Sequence, residues 1–414
     1  MKILVLLPRF PYPLDKGDKL RAYHQIVELS KRHEIYLFAL SHDRVGEGQL
    51  QALRPYCKEV RVEKLCRAAC AFNVLLSFLK GEPLQLGWWT TGHAKRAFKA
   101  FEQKVQPDVL YCQMVRTMPL VSGTPHLDRR RPAGIIPTSK VLDFQDALSL
   151  NTFRRMERSH GLMRIILNYE YRALQRAEQT ALSLFDATTV IGRADCDAIS
   201  PDVAIVPNGV DTEYYNIENL KLKTEKTTDT DDVPDISICN SQFSICFTGN
   251  MSYAPNVDAA RWLVKEIMPL VWSQIRSATL LLAGADPKPA VKALAGPKVV
   301  VSGRLDDIRT AYASAKVFVA PMRIGSGMQN KLLEAMSMRL PCVTTSLAAT
   351  PLGAIAGEHL LVGDTAEELA DLIVKLINGE QHCSIADGGH RFVQEHYSWP
   401  AAVAPLETIL TTNR

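Results

Sequence analysis

No apolar run in the 414 residues approaches the ~20 needed to cross a bilayer as a helix. The nine cysteines are scattered. The closest pair, Cys66 and Cys70, has no nearby His or Cys to complete a metal-ligand spacing. An odd number of cysteines without a framework excludes a disulfide-stapled secreted scaffold and points to a reducing compartment, the cytoplasm. The opening MKILVLLPRFPYP has an apolar run too short for a signal peptide. It ends in Pro-Arg-Phe-Pro with no small-residue cleavage site, so it reads as a first buried strand. None of the ten histidines stands in a ligand spacing, and His24 reads as a packed residue.

What is present is ordinary globular composition, 47% hydrophobic and 22% charged, on a chain long enough for two or three domains. The net charge of +4 is unevenly placed. Residues 1–200 hold 30 Lys and Arg against 20 Asp and Glu, which leaves 18 against 24 for the remainder. A basic first half suits an anionic partner such as a membrane surface, and uneven solvated charge is the plainer alternative. Nucleic acid is not expected, because interleaved aromatic platforms and known modules are missing.

Short apolar runs alternate with helical patterns from end to end. In the first half the strand candidates are 2–8, 34–40, 59–65, 108–114, 140–144 and 187–192, with helices over 18–32, 91–104 and about 151–184. From 204 the pattern restarts, with strands at 243–250, 279–284, 298–303, 317–322, 341–345 and 359–363. The fold expected is α/β, two doubly wound Rossmann-like parallel-sheet domains facing each other across a cleft. The domains are read as 1–203 and 204–395, with a polar insertion at about 217–242 too poor in large apolar residues to order itself. A tail helix at 396–414 is expected to pack back on the first domain. The tail from about 380 reads as two helices separated near Ser398-Trp399-Pro400.

The most informative stretch is 320–345, APMRIGSGMQNKLLEAMSMRLPCVTT. A strand ends, a turn of Gly325, Ser326 and Gly327 follows, and an amphipathic helix begins near Met328. Glycines let backbone N–H groups approach an anion, and a helix N-terminus carries partial positive charge. Lys331 and Glu334 lie at i and i+3, on one face. The cation suits a phosphate, and the carboxylate can accept a sugar's vicinal hydroxyls as a pair. Together they fit a nucleotide; an ordinary βα loop with a surface Lys–Glu pair is the alternative. The run is no Walker A loop, since Leu332 follows Lys331 where Ser or Thr is needed, and Asn330 stands where a dinucleotide fingerprint needs its third glycine.

This segment resembles the nucleotide-binding segment of retaining GT-B glycosyltransferases of family 4, the group 1 transferases, and within them those attached to exopolysaccharide clusters. PRFPYPLDKGDKLRAYH, VPNGVD, FTGNMSYAPNVDAARWL and VSGRLDDIRTAYASAKVFVAP agree in the same order. The resemblance implies a nucleotide-sugar donor (UDP- or GDP-sugar), a lipid-linked or saccharide acceptor, and sugar transfer with retention. It implies Glu334 on the ribose, and Gly325, Ser326, Gly327 and Met328 around donor sugar and diphosphate. Gln329, Asn330 and Leu332 belong to the same donor segment, as do Gly249 and Asn250 at the end of the second domain's first strand. Gly17 approaches the donor phosphate from the first domain, and Arg304 frames the base.

The chain also departs from the family. Ser326 stands where the broader family has a further glutamate. Asn250 and Met251 follow Gly249 where a basic pair is usual, which leaves Lys331 and Arg304 to neutralise the diphosphate. Arg339 replaces a helix-terminal glycine. These departures keep open a second expectation, a nucleotide-sugar-binding or regulatory protein without turnover.

On the acceptor side Arg21 and Asp143 are expected, with Asp146 as a catalytic carboxylate or, alternatively, a helix cap. Lys331 and Glu334 complete the catalytic set. Glu170 is a further candidate for the cleft, and Trp88-Trp89 reads as a buried pair. The arginines of 151–184 interleaved with Phe153, Met163, Ile165 and Ile166 suit either a membrane-surface helix or a solvated face over a core stripe. No cofactor and no metal are expected. No Asp-x-Asp pair reads as placed to bind a metal in the cleft, and Asp229 and Asp231 fall in the polar insertion.

Overall fold

The computed structural model describes residues 1–122, 138–224, 242–325 and 328–412. The chain divides into two compact units, Met1–Gly209 with Ala402–Arg414, and Val210–Ala401.

The first unit is built on seven parallel strands: β1 (Lys2–Leu7), β2 (Glu34–Ser41), β3 (Glu59–Lys64), β4 (Val109–Gln113), β5 (Ser139–Gln145), β6 (Ala187–Val190) and β7 (Ala204–Ile205). Their order is β3-β2-β1-β4-β5-β6-β7. The chain therefore winds outward from β1 in one direction, then returns to start again at β4. The crevice at the carboxyl ends of β1 and β4 is the switch point where such sheets hold ligands. Register is regular there, with Ile3 opposite Val109 and Leu6 opposite Cys112. The unbroken run Ile3–Leu7 is legible in these terms. Helices cover both faces, so every side chain in it is buried.

The second unit repeats the scheme with six strands, β8 (Phe243–Thr248), β9 (Leu280–Ala283), β10 (Val299–Gly303), β11 (Ala315–Ala320), β12 (Cys342–Thr344) and β13 (Leu361–Val362). Their order is β10-β9-β8-β11-β12-β13, which puts its switch point between β8 and β11. Each unit has its own apolar core.

Three expectations about segment bounds change. The division falls after Gly209 rather than at 203, because β7 pairs in parallel with β6 and so belongs to the first sheet. Of the segment 217–242 expected to be unordered, Ile217–Thr224 is helical. Residues 225–241, Asp229 and Asp231 among them, lie outside the described residues. The helix expected over 151–184 is two helices, Leu148–Glu157 and Gly161–Leu184. His160 is extended between them and Gly161 sits at φ +58, a conformation glycine adopts without strain. The tail forms helices His382–His396 and Trp399–Thr412, the second carrying Glu407 to His33 at 2.9 Å and to Arg32.

Candidate functional site

The carboxyl edge of the second sheet gathers the groups singled out in 320–345. After β11 the chain passes Gly325, at φ +132, and enters the helix Asn330–Ser337. Leu332 and Leu333 turn into the core, which turns Lys331 and Glu334 to the other side. Leu332, expected on the donor, is thus a packing residue with only its backbone at the first helical turn. Ser326 and Gly327 lie outside the described residues.

Glu334 is held by two tyrosines. The Tyr312 hydroxyl donates to Glu334 Oε2 at 2.6 Å and lies 2.8 Å from Thr248 Oγ1 at the end of β8. Burial raises the Glu334 pKa, opposed by Tyr312, by the Tyr215 hydroxyl and by Lys331. Lys331 Nζ donates to Asn256 Oδ1 at 2.5 Å and stands 5.0 Å from the centroid of the Phe247 ring. Burial pulls its pKa down to about 8, against the pull of Glu334. Asn256 Nδ2 in turn donates to Asn250 O at 3.0 Å. This chain of contacts needs two glycines. A Cβ on Gly249 (φ +155) would stand 2.6 Å from Asn256 Nδ2, and one on Gly284 (φ +146) would stand 1.7 Å from Gly249 O. Gly249 and Asn250 therefore reach the Lys331 group through backbone.

Arg304 is exposed just past Gly303 at the end of β10. Behind it, buried Arg309 pairs with Asp307, donates to Tyr214 O at 2.8 Å and lies 3.9 Å from the Tyr214 ring centroid. That lock fixes Tyr214-Tyr215 beside the helix that supplies Tyr312.

At the carboxyl edge of the first sheet the outcome differs by residue. Arg21 and Asp143, expected to meet an acceptor, are 1% and 0% exposed. Arg21 Nε donates to Asp143 Oδ2 at 2.7 Å, and its other nitrogens donate to Val206 O, Pro207 O and Asn208 Oδ1. Asp143 also accepts from Tyr111 at 3.1 Å and Thr189 at 3.0 Å. The pair is a buried clamp between the helix Gly17–Ser30, the sheet and the chain after β7, closed to any acceptor. Glu170 is likewise turned inward, accepting the N–H groups of Leu84 and Gln85 at 2.7 and 3.1 Å.

Asp146 is exposed at the same edge. It does not cap the following helix: Ala147 holds the cap position, and its N–H goes to Asp195 Oδ1 at 2.9 Å. The protein crowded around the Asp146 carboxyl, then the neighbouring Asp195 and Asp143 carboxylates, push its pKa up to about 6. Gly17 is the first residue of the helix Gly17–Ser30, exposed, with nothing within 4 Å of where a Cβ would be. Nothing in the chain itself requires glycine there.

Several groups at these edges carry no signal in the sequence. Met114 and Gln145, at the ends of β4 and β5, hold φ +62 and +64, strained for side-chain-bearing residues. Arg116 Nη2 donates to Gln85 at 2.6 Å, and Arg9 and Arg116 lie 5.2 and 5.9 Å from the Trp89 ring. Burial, then Arg9, lowers the Arg116 pKa to about 10. Trp88 is 37% exposed while Trp89 is buried, so the expected buried pair is half right. Tyr312, Tyr215 and Asn256 were equally hidden, since only the folded approach of separate loops brings them to Glu334 and Lys331.

Residues 242–379 match the family model for glycosyl transferases group 1, and this span contains the Glu334–Lys331 group. An uncharacterized 44.6 kDa protein in the cps region of Klebsiella pneumoniae is 22% identical over 410 residues, 96% of each chain. Among solved structures, sucrose-phosphate synthase from Thermosynechococcus elongatus superposes with TM-score 0.63 at 14% identity, covering 99% of this chain and 98% of that one. Anabaena Alr3699/HepE, solved with UDP and glucose, gives 0.57 at 14% identity over 99% of both chains. WaaG, a glycosyltransferase involved in lipopolysaccharide biosynthesis, gives 0.55 at 14% identity over 100% of both. The fold is that of the GT-B glycosyltransferases.

Proposed function

We propose that the chain is a retaining, metal-independent glycosyltransferase that moves a sugar from a UDP- or GDP-sugar to a lipid-linked or saccharide acceptor in exopolysaccharide synthesis, working against the anionic inner face of the cytoplasmic membrane. The observation that carries this reading is the Glu334 carboxylate fixed beside Lys331 at the start of the helix Asn330–Ser337. A carboxylate offers about four lone-pair positions. Tyr312 and Tyr215 use part of that capacity, and the rest accepts the two ribose hydroxyls. The diphosphate lies over the helix N-terminus, with Lys331 as counter-charge and Gly325 giving backbone access. These dipoles and one fixed cation stabilise the leaving nucleoside diphosphate as the glycosidic bond breaks. Asp146 orients the acceptor hydroxyl and takes its proton as the new bond forms.

The cps-region relative and the HepE complexes with UDP support the substrate class. The test is incubation with a panel of nucleotide sugars, with and without EDTA, followed for thermal shift and product. Turnover unaffected by EDTA is expected; strict dependence on added divalent metal sinks metal independence, and binding without turnover or hydrolysis of any donor makes the chain a nucleotide-sugar-binding protein instead. Glu334→Gln, which removes charge at nearly constant volume, is expected to weaken nucleotide binding roughly 10- to 100-fold, equivalent to about 1.5–3 kcal/mol. Unchanged affinity in calorimetric titration removes the ribose contact.

A further inference from the structure

Among the described residues of the first unit, two helix faces are exposed on the helices that flank one cavity. On the helix Arg67–Lys80, Phe72, Leu75 and Leu79 are 61%, 55% and 72% exposed, at i, i+3 and i+7. On the helix Gly161–Leu184, Leu162, Ile165 and Ile166 are 72%, 67% and 41% exposed, at i, i+3 and i+4. Tyr169, one turn further along that face, joins the two helices. Its ring lies 5.1 Å from Phe78, and its hydroxyl donates to Phe78 O and Glu82 O at 3.2 and 3.0 Å. The apolar stripes are therefore parts of one surface. Scattered apolar residues need no explanation, but a contiguous patch on two helices does.

The charge on these helices is one-sided. The acidic residues of Gly161–Leu184, Glu170 and Glu178, are buried and accept backbone N–H groups, Glu178 from Ser149 at 3.0 Å. Its exposed charges, Arg164, Arg172 and Arg176, are all positive. The helix Arg67–Lys80 has a cation at each end and no carboxylate. Between the helices lies a cavity of about 510 Å³. Its apolar walls include Leu86, Met118 and Ala173, and among the described residues Lys80, Lys95 and Arg176 line it against one carboxylate, that of Glu82. Arg176 is already directed there, donating to Gly81 O at 2.9 Å. An apolar floor under three cations fits one chemistry, a phosphate group carried on a long hydrocarbon chain.

We propose that this flank of the first unit is a bilayer-docking surface, the exposed stripes entering the headgroup–acyl boundary while the cavity between the two helices, further along from the stripes, seats the phosphate end of a single anionic lipid. The inference deepens the membrane-side reading above by naming its surface and its lipid. It is independent of the donor group around Glu334.

The test uses the full chain and vesicles of phosphatidylcholine alone or mixed with phosphatidylglycerol, read by co-sedimentation across a salt series. Binding to the mixed vesicles at least about tenfold tighter than to neutral ones, weakening with salt, is expected. Leu75→Asp with Leu79→Asp and Ile165→Asp should abolish it. Lys95→Glu with Arg176→Glu should lower it about tenfold and erase the preference for anionic lipid. All these residues are exposed, and a donor-induced thermal shift equal to that of the unaltered chain verifies folding. If the cation pair changes nothing while the apolar triple still abolishes binding, the cavity is not a lipid site, although the membrane reading stands. Failure of the unaltered chain to bind any vesicle, with its donor response intact, overturns the surface but not the transferase. A thermal shift with soluble glycerol phosphate in the absence of vesicle binding assigns the cavity to free phosphate esters and overturns the lipid. Self-association lost in the apolar triple without lipid binding gives the face to a second copy and overturns it too.

Discussion

At the scale of single residues, the titrations of two groups should shape the pH profile. On the proposed mechanism Asp146, at about 6, has to be ionised to take a proton, and Lys331, at about 8, has to be charged to hold a diphosphate. kcat/KM is therefore expected to rise through about pH 6 and fall above about pH 8. Asp146→Asn should remove the acid limb, and Lys331→Arg should carry the alkaline limb beyond pH 9, by about the interval between lysine and arginine pKa values. An alkaline limb unmoved by Lys331→Arg dissociates that lysine from the donor. Lys331 also contributes to stability with the opposite sign. Its folded pKa lies below the ordinary 10.5, so the folded state releases its proton first and gains stability between about pH 8 and 10.5 while donor affinity is being lost. Arg339 permits an independent check. It occupies the position after the helix cap at φ +56, where Leu340 N–H reaches Ala335 O and Arg339 N–H reaches Met336 O, both at 3.0 Å. This Schellman geometry favours glycine. Arg339→Gly should stabilise the unit by about 0.5–1 kcal/mol in urea unfolding, despite losing the exposed pair with Asp387. A destabilisation would mean that ion pair outweighs the strain. What the sequence shows at this scale is the i, i+3 spacing of Lys331 and Glu334. It cannot distinguish a charge at a strand end that meets solvent, as Asp146 does, from one sealed by a partner, as Asp143 is by Arg21. Both read alike until the segment 206–208 folds over them.

At the scale of elements, the strands were legible because parallel strands covered on both faces must be apolar throughout, as β1 and β9 are. Elements whose bounds depend on one residue's dihedral were not: 151–184 reads as one amphipathic period, and the extended His160 with Gly161 interrupts it without altering that period. The approach of the loops after β8 and β9 was also hidden, since it rests on a missing Cβ at Gly284, and glycine at a strand end has many uses. Gly17 provides the clearest prediction for an element. Its helix begins without a side-chain cap, and no neighbour crowds the position. Gly17→Ala should leave folding unchanged or improve it by up to about 1 kcal/mol through helix propensity. If the helix N-terminus lies against a phosphate, the added methyl should weaken nucleotide-sugar binding while thermal stability without ligand holds. Equal donor affinity in both proteins detaches this helix from the donor.

At the scale of the whole molecule, each of the two units has an apolar core packed on its own sheet. Two-state unfolding is therefore not expected, and calorimetry should resolve two transitions. They can be assigned by perturbing each unit through its own chemistry. Asp143→Ala strands the buried Arg21 guanidinium, a loss of about 3–5 kcal/mol, and should lower only the transition of Met1–Gly209. A nucleotide sugar at a hundred times its dissociation constant stabilises what it binds by about 2.7 kcal/mol. If Glu334 and Lys331 supply most of the donor contacts, that increment should appear in the transition of Val210–Ala401, and Glu334→Gln should erase it there while leaving the other in place. Hydrogen exchange on β8 and β11 against β1 and β4 reads the same division amide by amide. Donor protection concentrated on β1 and β4 would place the recognition of the nucleotide in the wrong unit. The assignment of Glu334 would then fall, however well its tyrosines hold it.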